Sequence, residues 1–170
     1  MRVGRSHPRT ATWQTTDKEA HMEASSEYPA VKTGEGWATG HLHDLGDGPG
    51  FRKVRKGLGV TAFGVNAIVM PAGIESGFHY HDEQEELYFV HRGEIEIVFG
   101  DGSVQRLGEG GLARVDAATS RMIRNPGDAD AIYLIAGGKD GYIGRDGRVP
   151  EGEEMMRVKA IHDLSAEQPK

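Results

Sequence analysis

The fold is decided by residues 73–93: Gly73-Ile74-Glu75-Ser76-Gly77-Phe78-His79-Tyr80-His81-Asp82-Glu83-Gln84-Glu85-Glu86-Leu87-Tyr88-Phe89-Val90-His91-Arg92-Gly93. The stretch reads as two short strands framed by glycines. In an extended chain, side chains two apart share a face and their Cα atoms lie roughly 6.5–7 Å apart, so His79 and His81 can converge on one ion without unusual backbone. Glu86 opens the next strand after a short connection, and antiparallel pairing of the two strands would bring its carboxylate beside the imidazoles. Two neutral nitrogen donors and one carboxylate suit a divalent first-row metal.

Outward from this stretch the chain continues as short strands and turns. Residues 60–70 are rich in β-formers and end at Pro71-Ala72-Gly73. Residues 94–99 alternate charged and apolar, so one face is buried. Gly100-Asp101-Gly102 turns the chain into 103–107, Gly108-Glu109-Gly110-Gly111 leads into 112–115 and 121–124, and Asn125-Pro126-Gly127-Asp128 precedes a last apolar strand at 131–136. The 25 glycines are about twice the ordinary usage of roughly 7% and sit between these runs. Strands at this spacing predict an all-β sandwich or barrel.

The ends differ from the middle. Residues 1–36 are polar, contain Pro8 and Pro29, and read as a flexible N-terminal arm or an edge strand laid over the barrel, with Met22 as an alternative start. Residues 37–148 form the predicted barrel domain, and 149–170 a polar, flexible C-terminal tail. From Gly137 on, the glycines Gly141, Gly144 and Gly147 lie among charges, and 161–166 could make one helical turn. Nothing in this region suggests chemistry. The chain has no cysteine, which excludes disulfides and thiolate sites. Its net charge of −6 disfavours nucleic acid and anionic membranes as partners. With no long apolar run, a soluble, cytoplasmic protein is the expectation.

Gly73, five residues, His79-x-His81, four residues, Glu86, six residues, Gly93 matches the first motif of the cupin superfamily at every fixed position. The sequence resembles small bacterial single-domain cupins over about residues 60–138. The resemblance implies a double-stranded β-helix, or jelly roll, with ligands directed into the barrel mouth. It also implies a homodimer formed through strand edges and sheet faces. The second cupin motif is degraded. Gly110 and Asn125 keep its spacing, but Asp116 stands where it has proline, Ala118 where it has its second glycine, and Arg121 where it has the fourth metal ligand. No histidine lies between His91 and His162 to replace it.

Arginine is a permanent cation with donors only and cannot ligate. Two states are compatible with this pattern. In one, His79, His81 and Glu86 hold iron, manganese, nickel or zinc as a three-ligand face, and Arg121 orients an anionic small molecule, as in an oxygenase or isomerase. In the other, metal is weak or absent, Arg121 pairs with Glu86 or an anion, and the barrel is a non-catalytic binding or sensing module. Tyr88 shares the parity of Glu86 and is a candidate for lining the ligand cavity. Glu85 and His91 have the opposite parity and should face away. His41-Leu42-His43 lacks the glycine frame and reads as surface histidine.

Overall fold

The computed structural model describes residues 31–153. The readings of residues 1–30, including Met22, and of the tail beyond 153 fall outside the described residues. The barrel is preceded by a hairpin of β1 (Lys32–Gly34) and β2 (Trp37–Thr39), a 3-10 turn (Leu42–Leu45), β3 (Gly50–Arg52) and a short helix α1 (Val54–Leu58). There follow β4 (Gly64–Met70), β5 (Tyr80–His81), β6 (Glu85–Arg92), β7 (Glu94–Phe99), β8 (Val104–Gly108), β9 (Leu112–Val115), β10 (Arg121–Arg124), β11 (Ala131–Gly138) and β12 (Gly147–Arg148). From β4 to β11 the order matches the strands read from sequence, whereas β1, β2, β3 and β12 were not read there. Residues 54–58 are helical and end at Gly59 in the left-handed conformation (φ 69°), which suits a residue without Cβ. The strand expected from 60 begins only at Gly64, because the Val60 N–H is held by the Arg55 carbonyl at the helix end.

Two antiparallel sheets form the barrel walls. One has the order β3-β4-β11-β6-β9 and the other β10-β7-β8. The main core lies between them: Ile68, Met70, Tyr88, Val90, Val115 and Tyr133 from the larger sheet meet Ile95, Ile97 and Ile123 from the smaller. Burial of each such aliphatic side chain is worth about 1.5–3 kcal/mol. Along β6 the alternation is strict, with Glu86, Tyr88 and Val90 inside and Glu85, Leu87, Phe89 and His91 outside. A second, smaller core covers the outside of β4, where Leu45, Val54 and Ala67 are buried with Val31, Leu42 and Leu58 around them. Among the described residues the outer face of β6 and β9 has no such cover, and Leu87, Phe89 and Leu112 are exposed. Among the described residues no helix is long and apolar enough to cross a membrane.

The glycine frame has a backbone reason. Gly73 and Gly93 both adopt positive φ, 71° and 75°. A Cβ on Gly93 would also come within 3.2 Å of the Ala131 Cα and the Asp130 carbonyl oxygen. One expectation is corrected here. β5 and β6 do not pair with each other: β5 pairs with β12, and β6 with β11 and β9. The bend at 82–84 carries the chain across from one wall to the other, because Asp146 accepts the backbone N–H groups of Glu83 and Gln84 at 3.3 and 2.9 Å. Convergence of the histidines with Glu86 is therefore a property of barrel closure, not of a hairpin.

Candidate metal centre

Three strands supply the centre. His79 lies just before β5 and forms a backbone bridge with Arg121 at the start of β10. His81 lies in β5, and Glu86 in β6. One ligand atom from each of His79, His81 and Glu86 falls within 4.8 Å of the other two. The sequence-derived trio is thus brought together.

Each side chain is fixed from behind. Glu86 Oε2 accepts the Tyr88 hydroxyl at 2.5 Å and the Arg121 Nη2–H at 2.7 Å. Arg121 Nε–H also donates to the Tyr88 oxygen at 3.2 Å, which closes a three-membered network. Glu86 Oε1 is left on the side of His81 Nε2, 3.2 Å away. Burial opposes the Glu86 charge, but the polar contacts of His81 and Tyr88 and the positive charge of Arg121 outweigh it and bring the pKa down to about 2. Burial beside that carboxylate pushes the Tyr88 hydroxyl well above its ordinary range, so it stays a donor.

The imidazoles are oriented through Nδ1. In His79 that nitrogen lies 3.3 Å from the Gly77 carbonyl, which places the proton there and leaves the Nε2 lone pair. Burial, with the nearby Arg121 charge, lowers the His79 pKa and favours the neutral ring that a metal requires. His81 Nδ1 has the Gln84 amide at 3.0 Å and the Asp146 carboxylate at 3.5 Å. His81 Nε2 is buried and makes no hydrogen bond among the described residues, since the contact with Glu86 is misaligned. An orphaned buried nitrogen, a carboxylate clamped by one oxygen only and a neutral second imidazole fit a divalent cation.

Arg121 pairs with Glu86, as in the second of the two states read from the sequence, and has no open face towards the cavity. It is fully buried. Its Nη1 donates to the Thr119 and Ala117 carbonyls at 3.1 and 3.4 Å, and its remaining contacts go to Glu86 and Tyr88. The guanidinium stands behind Glu86 and not on the cavity wall. Tyr88, by contrast, does line the cavity. Asn125, the intact end of the second motif, is an architectural knot that donates to the Met70 and Ala129 carbonyls and accepts from the Gly127 N–H. Glu85 and His91 face outward as expected. His41 is exposed and His43 half-buried, and their rings lie 4.3 Å apart, outside the centre.

The three ligand side chains open into a cavity of about 450 Å³. Its wall includes Tyr142, Ile143, Arg145 and Asp146, which come from the segment read from sequence as a region without chemistry. The signal was weak. Asp146 is one acidic residue among many in the tail, and only its burial, 5% exposed, sets it apart.

The family model described as a cupin domain matches residues 66–137. The matched residues carry most of the two facing antiparallel sheets, and this strand arrangement is that of a double-stranded β-helix. It is similar to a sugar phosphate isomerase of the cupin superfamily from Silicibacter pomeroyi, at 24% identity over 74% of this chain and 83% of that one, with a TM-score of 0.50. It is also similar to a Klebsiella pneumoniae protein with a double-stranded β-helix domain, at 21% identity over 53% of this chain and 76% of that one, with a TM-score of 0.48. At such identities the likeness concerns the fold, not the activity. Comparison with curated proteins gave no match.

Proposed function

We propose that this barrel holds a divalent first-row transition metal (iron, manganese, nickel or zinc) through His79, His81 and Glu86 and acts on a small organic molecule in the adjoining cavity. The observation that carries the reading is the asymmetry at Glu86. One oxygen is taken by Tyr88 and Arg121, while the other, with His81 Nε2, has no aligned partner. When bound, the metal supplies Lewis-acid polarisation of a substrate oxygen, and iron adds redox capacity. Three protein donors leave positions for that oxygen, which suits an isomerase or an oxygenase. Arg121 and Tyr88 keep the Glu86 carboxylate ionised and turned. Gly77 and the Asp146–Gln84 pair hold the two rings, and the apolar walls exclude water.

The test is metal content. Protein stripped with chelator, then incubated with each of the four metals and desalted, should retain close to one equivalent of at least one of them. His79→Ala should lose it. Wild-type protein that emerges metal-free from all four incubations removes this reading.

A further inference from the structure

The walls of the cavity restrict what can enter it. On β4, Asn66 and Ile68 stand opposite Ile135 and Tyr133 of β11 in the antiparallel register. These four residues line the cavity together with Ile123. At about 30 Å³ per atom, the space accepts a molecule of roughly ten to fifteen non-hydrogen atoms. Most of that molecule would meet hydrocarbon and aromatic ring. The buried cation nearest the centre, Arg121, is already engaged by Glu86, Tyr88 and two carbonyls. Among the described residues Arg145 is the one lysine or arginine on the cavity wall, and it is solvent-exposed with Asp146 beside it. Away from the His79, His81 and Glu86 end, an anion buried on these walls would lack a compensating charge, which is costly.

Two polar groups on the wall are unused. Tyr133 is 2% exposed, and its hydroxyl makes no hydrogen bond to a described residue. Burial and the Glu86 charge push its pKa up, so it remains a donor. The Asn66 amide likewise has no hydrogen-bond partner among the described residues. Both side chains line the cavity, so the hydroxyl and the amide are available to a molecule bound there. We infer that the cavity binds a small, uncharged, ring-bearing molecule with an oxygen function, which stacks on the aliphatic wall and is fixed by the Tyr133 hydroxyl and the Asn66 amide. This deepens the metal-site reading by naming the ligand class for the same cavity, and it rests on that reading only for the end of the molecule that would meet the metal.

Binding is measured by calorimetry on the full chain with chelator present, so that loss of the metal reading cannot masquerade as loss of this one. The probes are 2-naphthol, its carboxylate counterpart 2-naphthoate, and inorganic phosphate. 2-Naphthol should bind saturably and at least about 10-fold more tightly than 2-naphthoate, consistent with the penalty for an unpaired buried charge. Tyr133→Phe, checked for an unchanged melting profile, should weaken 2-naphthol by about 2- to 10-fold, the usual worth of one hydrogen bond. Arg145→Ala should leave it unchanged. The inference is overturned if 2-naphthol does not bind, if Tyr133→Phe has no effect, or if 2-naphthoate or phosphate binds more tightly and loses that binding in Arg145→Ala. Repeating the 2-naphthol titration on metal-loaded protein then reports separately on the centre.

Discussion

Glu86 and Arg121 form an ion pair buried in the barrel, 2.7 Å apart and joined through Tyr88. Removing one partner of such a pair strands a charge and typically costs about 3–5 kcal/mol. Arg121→Met should therefore lower the urea midpoint of metal-free protein steeply. Adding Glu86→Gln to it should recover part of the loss. A double variant as unstable as the sum of its singles would mean the pair is not coupled. The acid limb follows from the same geometry. The Glu86 carboxyl ionises near 2 in the fold against an ordinary 4.5, so as pH falls the unfolded chain takes up the proton first. Its contribution is fully present above about 4.5 and is lost as pH falls towards about 2. Glu86→Gln should flatten that part of the stability profile of the metal-free protein. Arg121→His exchanges a fixed cation for a nitrogen donor next to His79, and should raise metal affinity about 10-fold or more while lowering metal-free stability, in keeping with what ligand and supporting groups contribute. At this scale His79, His81 and Glu86 were legible, because their types and spacing are local. Tyr133 and Asn66 were not, because their meaning lies in facing one cavity from two strands whose register sequence alone does not give.

At the level of elements, the segment between β11 and β12 closes the site. β12 pairs with β5 so that Gly147 stands opposite His81 and Arg148 opposite Tyr80. Asp146 then holds the 82–84 bend and reaches His81 Nδ1. Asp146→Asn keeps one acceptor oxygen for the bend but removes the charge behind the imidazole. Metal affinity, read by competition with a chromophoric chelator, should fall by about 10- to 100-fold with a small change in melting temperature. Unchanged affinity would reduce Asp146 to a loop staple. Gly137 acts from the other side. Its Cβ would lie 2.8 Å from the Glu85 carbonyl oxygen and 3.2 Å from Glu86 Cγ, so Gly137→Ala should weaken metal binding by displacing Glu86. The alternation in β6 and β7 made their buried faces readable. The crossing from β5 to β6 was not, because a three-residue connection looks like a hairpin until the buried aspartate more than sixty residues on is seen to hold its N–H groups outward.

For the whole molecule, seven of the eight strands in the two sheets were legible in the sequence and β3 was not, while the small core outside β4 was hidden in residues too short and mixed to show a period. The uncovered counterpart of that small core, around Leu87, Phe89 and Leu112, gives the homodimer implied by family resemblance a surface to use. If it does, wild type should sediment as a dimer and Phe89→Glu should shift it towards monomer without changing the far-ultraviolet spectrum. A wild type that sediments as a monomer removes the dimer. Arg121 has a consequence at this scale too. By supplying Glu86 with a resident counter-ion, it makes the empty barrel electrically complete. The ion is then a guest and not a strut: chelation should lower the melting temperature by the ion's own binding free energy and leave the barrel folded, unlike domains whose fold is built on their metal. A host of this kind takes its guest after folding, and which guest it carries is decided by the supply of metals around it.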